Sequence, residues 1–177
     1  MMFVDGENLA KRYFAMRGDE RQREHVVFAK DIFVWSRYAN RDHFPQVVRR
    51  HYYTSAPGDR DALGAIENQL RAVGIEAPRV FHRPKSGRSK RVDITLATEM
   101  LTHAHRKNFD VAVLVAGDED YVPLVEAVKR EGQQLVLWFV EDGLSASLRA
   151  AADHFWNIGE VLFVDRKDEP AFTELYG

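Results

Sequence analysis

Three stretches of this chain carry aspartates in places where phosphoryl chemistry would use them. Asp5 stands in FVDGENL, immediately after an apolar run. Asp118 and Asp120 stand in VLVAGDEDYVPL, immediately after the strongest strand candidate, and Asp93 stands in KRVDITLATEM. Grouped carboxylates repel one another, by roughly 4 kcal/mol for a pair ~4 Å apart at an effective dielectric near 20. Such a group either takes up protons or gathers around a divalent cation. Oxygen ligands in a chain without cysteine favour a hard ion, Mg²⁺ or Mn²⁺. An ion of this kind polarises a phosphoryl oxygen, lowers the pKa of a bound water and holds the leaving oxygen, which is the chemistry of phosphodiester hydrolysis.

Each acid also has a structural reading. Asp93 suits the N-cap of a helix starting at Ile94, and Asp120 suits the cap of one starting at Tyr121, with Pro123 allowed in its first turn. Asp5 suits a turn at Gly6. The conjunction favours a site, because two strand ends carry aspartate and one of them does so as Asp-x-Asp after a glycine.

The elements that must position these acids follow from periodicity. Apolar runs over 2–4, 47–53, 111–115 and 135–140 read as buried strands, with further candidates over 79–82 and 161–164. Helical spacing marks 8–16, 25–38, 61–73, 94–105, 122–131 and 145–155, with Gly74 and Gly132 as stop signals. Segments 54–60 and 84–91 read as loops. Strands alternating with helices imply βαβ units, right-handed crossovers and a three-layer α/β/α sandwich around a mostly parallel sheet of five or six strands. Open sheets of this kind place functional groups at the carboxyl ends of their strands, where Asp5 and Asp118 fall.

The bulk numbers set outer bounds. The 177 residues fit a single domain over 1–177, and 45% hydrophobic with 29% charged residues is enough for a real core. The absence of cysteine rules out thiolate chemistry and suits a reducing compartment, so the cytoplasm is the expected location. No apolar run approaches the ~20 residues that cross a bilayer. A net charge of -2 means that any nucleic-acid site is a local basic surface.

At FVDGENL, KRVDITLATEM and VLVAGDEDYVPLVEAVKREGQQLVLW the chain resembles the NYN family of PIN-like nucleases, and its LabA-like branch in particular. The resemblance runs from Phe3 to about Asp153. It implies a PIN-like fold and metal-dependent cleavage of RNA, endonucleolytic by expectation, with the family's acids on Asp5, Asp93, Asp118 and Asp120. Asn8 matches the family's asparagine after the first acid, as a group that orients a water or a metal ligand. Lys90 matches a basic residue ahead of the helix acid. The chain departs from the pattern at Glu99, where the family has aspartate, and at Ala116, where it has serine or threonine. On an ideal helix Asp93 and Glu99 lie about 240° apart, so both serve one site only if Asp93 precedes the regular helix.

The expected partner is RNA, single-stranded or structured. Arg83, Lys85, Arg88, Lys90 and Arg91 form a basic segment leading into Asp93, which reads either as a solvated face or as a phosphate clamp. Tyr52, Tyr53 and Tyr121 suit base stacking or core packing. A homodimer or a protein partner stays open. Two other functions compete. One is an RNA-binding or regulatory module of the same fold without turnover. The other is a phosphatase of the haloacid dehalogenase type with Asp5 as nucleophile, which would want a second aspartate where this chain has Glu7.

Overall fold

A computed structural model describes residues 1–17, 24–40, 47–84 and 91–163. Six strands form one sheet: β1 (Met2–Asp5), β4 (Arg50–Ala56), β5 (Ala77–His82), β6 (Val111–Val115), β7 (Gln134–Phe139) and β8 (His154–Asn157). Their order is β5-β4-β1-β6-β7-β8, and every neighbouring pair is parallel. The helices are α1 (Gly6–Arg17), α2 (Arg60–Ala72), α3 (Arg91–His105), α4 (Val122–Arg130), α5 (Ala146–Ala151) and α6 (Gly159–Leu162). None of the described helices is long and apolar enough to cross a membrane.

Strand alternation sorts the core into two layers. Met2 and Val4 of β1, Tyr52 of β4, and Val113 and Val115 of β6 pack with Leu9, Tyr13 and Leu70 on one face. Phe3, Tyr53 and Leu114 pack with Leu96 and Met100 of α3 and Val125 of α4 on the other. Asp5 follows the odd-numbered Phe3, so its side chain joins the α3 and α4 layer. The chain runs outward from β1 through β4 and β5, then returns to place β6 on the other side of β1. The strand order therefore reverses between β1 and β6, the switch point beside which open sheets of this kind place ligands, at the carboxyl ends.

Two glycines make close approach possible there. A Cβ at Gly6, just after Asp5, would drive into the Tyr52 ring, and a Cβ at Gly117, just before Asp118, would strike Phe139. These positions admit only hydrogen, so each aspartate sits beside a point of backbone crowding.

Four expectations need correction. The loop expected over 54–60 shrinks to 57–59, because β4 continues to Ala56 and α2 starts at Arg60 behind its Asp59 cap. Residues 25–38 form no helix but an antiparallel hairpin of β2 (Val26–Ala29) and β3 (Phe33–Ser36), followed by a single 3-10 turn, Arg37–Asn40. Six of the eight strand residues are β-branched or aromatic, and Asp31 turns the chain with φ 57° while the Ile32 amide donates to the Ala29 carbonyl. Aspartate tolerates that left-handed conformation. The helix expected over 145–155 stops at Ala151 and a strand, β8, follows, because Asp153 binds the backbone amide of Leu135 at 2.7 Å and starts the ladder with β7. The strand expected over 161–164 is instead α6 as far as Leu162, and Val164 lies outside the described residues.

Candidate functional site

Asp5 ends β1 fully buried. Its Oδ1 accepts the backbone amide of Asn8 at 3.0 Å, and its Oδ2 accepts the Tyr121 hydroxyl at 2.9 Å. The same hydroxyl lies 3.4 Å from Oδ1 of Asp93. Carboxylates from β1 and α3 thus converge on one phenol oxygen, 116 residues from Asp5 in sequence. Burial and the two neighbouring carboxylates push the Tyr121 phenol far above its ordinary range, so it stays protonated and donates.

Asp93 lies within α3, in its first turn, and is not the helix's N-cap. Asp118 caps the short 3-10 turn Glu119–Tyr121 by accepting the Asp120 amide at 3.2 Å. That turn lifts Tyr121 back over the end of the sheet. Asp93, Asp118 and Asp120 line one cleft of about 440 Å³ between α3 and α4, and its remaining wall is largely apolar, with Ala97, Leu101 and Leu124. Asn8 ties the two strand ends together, since its Oδ1 accepts the Gly117 amide at 2.9 Å.

Glu99 belongs elsewhere. Its carboxylate accepts the Tyr53 hydroxyl at 2.8 Å and pairs with Arg79 at 2.9 Å. Because Asp93 already sits in regular helix, the angular separation between the two positions sends Glu99 toward β4 and β5. Beside it His51 is buried and stacked on Phe3 at 5.0 Å between ring centroids; among the described residues neither ring nitrogen has a hydrogen-bond partner, Nδ1 lying 3.9 Å from the Glu99 carboxylate. Desolvation lowers its pKa to about 4.

Arg83, one of the expected RNA contacts, is held inside the fold. It donates to Ser55 Oγ at 2.9 Å and to the Asp31 carbonyl at 2.7 Å, and it faces Glu7 at 3.6 Å, while Ser55 also donates to Glu7. Arg91 opens α3 with its guanidinium 5.7 Å from the Phe81 ring centroid. Lys85, Arg88 and Lys90 lie outside the described residues.

Sequence reasoning assigned Tyr121 to stacking or packing and missed its part in joining Asp5 to Asp93. The available signal was its place directly after Asp120, since a buried tyrosine needs a partner for its hydroxyl. Among the described residues no three histidine, aspartate or glutamate side chains stand close enough to hold one ion. The donor set still suits a hard cation that keeps most of its water, since Mg²⁺ commonly takes only one or two carboxylates.

An open parallel α/β sheet with carboxylates at its switch point defines a class of protein with an acidic site at the strand ends. Within that class the chain belongs to the NYN domain family, whose model matches residues 1–159. A crystal structure of a protein of unknown function from Vibrio parahaemolyticus has the same fold, with a TM-score of 0.62 and 23% identity over 91% of this chain and 93% of that one. No curated protein matches the sequence.

Proposed function

We propose that this protein hydrolyses RNA phosphodiester bonds in a divalent-ion-dependent reaction, with Asp5, Asp93, Asp118 and Asp120 as its acidic set. One observation carries the reading: a single hydroxyl, that of Tyr121, reaches carboxylates from two separate elements at the switch point of the sheet. Bringing carboxylates together is unfavourable on its own, and a bound divalent ion would offset the repulsion. The NYN family assignment points to a PIN-like nuclease fold. The Gly-Asp-x-Asp-Tyr-x-Pro-Leu stretch from Gly117 to Leu124 supports placing the chain in the LabA-like branch. A cytoplasmic location agrees with the lack of cysteine.

Asp93 and Asp118, both on the cleft wall, would hold Mg²⁺ or Mn²⁺ directly, with Asp120 at the rim and Asp5 behind Tyr121. Such an ion supplies countercharge for the phosphoryl oxygens and acidity for the attacking water. The remaining work falls to the chain itself. Asn8 sets the spacing of β1 and β6, Tyr121 keeps Asp5 and Asp93 in register, and the apolar wall with Ala97 and Leu101 offers a dry surface to a base or ribose.

A covalent phosphatase route through Asp5 has less support. The carboxylate is fully buried with both oxygens accepting hydrogen bonds, and Glu7, at the position of the second acid, is engaged by Ser55 and Arg83. RNA binding without turnover is favoured by one fact, that Asp5 is closed off by Tyr121. Incubation of labelled single-stranded and structured RNA with Mg²⁺, Mn²⁺ or chelator separates the two. Cleavage should require the metal and vanish in Asp118→Asn. Cleavage that persists in chelator, or equally in that variant, would end the proposal.

A further inference from the structure

We infer that a second crevice at the same end of the sheet, between α1 and the end of β7, is a phosphate subsite for the RNA strand flanking the acidic cleft. It encloses about 320 Å³ and is lined by Asn8, Lys11, Arg12, Ala15, Phe139 and Gly143. This inference rests on the reading of RNA as substrate.

Three kinds of donor meet there. Asn8 accepts the Gly117 amide through its side-chain oxygen. Of the two ends of a carboxamide only the oxygen accepts, so the side-chain NH₂ is left as a donor. Arg12 is seated rather than mobile: its Nε donates to the Asp142 carbonyl, its guanidinium pairs with the Asp142 carboxylate, and a Cβ at Gly143 would collide with it. Lys11 is exposed and makes no ion pair among the described residues. A compact ammonium beside an amide donor suits a phosphate diester, which offers oxygens and no donor of its own, while Arg12, its charge met by Asp142, forms the wall of the crevice.

Position strengthens the assignment. Gly117, held by Asn8, is the residue before Asp118. The crevice and the acidic cleft therefore adjoin through one hydrogen bond, with the cations on the α1 side and the acids on the α3 side. A polyanion drawn toward four aspartates meets repulsion, and a nearby positive group offsets it. The basic segment expected to do this over 83–91 leaves Arg83 tied to Glu7 and Ser55. Lys11, without an ion pair among the described residues, supplies a cation at the sheet's carboxyl end.

The test measures anisotropy of a labelled oligouridylate over a series of salt concentrations in chelator, so that cleavage does not intervene. The proteins are the wild type, Lys11→Ala, Lys11→Glu and, as a cation near the opposite end of the sheet, Arg130→Glu. Lys11→Ala should weaken binding about three- to tenfold and make the log–log salt slope shallower by about 0.7, the loss of one phosphate contact to a single strand. Lys11→Glu should weaken it further, while Arg130→Glu stays within about twofold of wild type. Lys11→Glu binding as tightly as wild type, or no more weakly than Arg130→Glu, would overturn the subsite. Metal-dependent cleavage is followed in parallel. Normal cleavage with no Lys11 effect removes the subsite alone, and a Lys11 effect without any cleavage removes the hydrolytic reading alone. Wild type that binds no RNA removes both.

Discussion

Helix α3 carries two acidic side chains toward the sheet, and each meets a buried tyrosine. Near its start, Asp93 approaches Tyr121, whose hydroxyl also serves Asp5; farther along, Glu99 accepts from Tyr53 and pairs with Arg79. Both phenols are pushed up by burial and adjacent carboxylates. The difference lies in what balances the negative charge. Glu99 pairs with the half-exposed guanidinium of Arg79 and accepts the Tyr53 hydroxyl. Asp5 and Asp93 share the Tyr121 hydroxyl, and Asp93 lines the acidic cleft; the proposed reaction would bring a divalent cation there. Two tyrosine–carboxylate pairs on one helix thus differ in their surroundings, one beside the Arg79 guanidinium and the other at the wall of the acidic cleft.

The contrast can be broken most directly at its chemical end. Asp118→Asn should lower RNA cleavage by about two orders of magnitude or more. Its melting temperature should stay near that of wild type, because asparagine caps a turn as well as aspartate. A matching loss of stability would mean that Asp118 is structural. Acid titration probes the other region. Unfolded His51 takes up a proton near pH 6.5, whereas the folded ring, desolvated and facing His103, Glu99, Arg49 and Arg79, resists until about pH 4. The unfolded state therefore binds more protons between these values, so stability is complete above pH 6.5 and falls as pH drops toward 4, by on the order of 3 kcal/mol. His51→Phe keeps the stack with Phe3 and should flatten this limb of the melting curve, while an unchanged limb would assign it to other groups.

The two tyrosines allow a paired test. Tyr121→Phe and Tyr53→Phe each remove a buried donor and should cost about 1–3 kcal/mol in chelator. Added Mn²⁺ should restore Tyr121→Phe, since ligand binding to the folded state raises stability, and should leave Tyr53→Phe unrestored. Equal responses would erase the distinction drawn between the clusters. The smallest effect is expected from Glu99→Gln, a loss of about 1 kcal/mol because Arg79 is half exposed, with cleavage within about twofold of wild type. A large loss of cleavage there would return Glu99 to the site.

Much of this arrangement was legible in the sequence. The apolar run over 111–115 is β6 to the residue, and the runs at 2–4 and 135–140 are β1 and β7 within one residue. Continuous apolar strands alternating with Gly-stopped helices specify a parallel sheet, because only burial on both faces calls for that pattern. The hairpin over 26–36 was hidden since Val27, Phe28, Ile32 and Trp35 satisfy a helical period while their side chains suit strands, and the deciding feature is the turn at Asp31. Strand β8 was hidden because four residues are too few to show a period, and its pairing depends on Asp153 reaching Leu135.

The linear order of residues determined the strand ends, and with them which aspartates stand at the carboxyl edge of the sheet, because local period and turn chemistry act over only a few positions. Partnership was decided by the tertiary structure alone. Asp93 goes with Asp5 while Glu99, six residues on, goes with Arg79, and Arg83 turns inward while Lys11 stays in solvent. Those choices depend on crossover handedness, strand order and the angle at which α3 lies on the sheet, which join residues dozens of positions apart and leave no local trace.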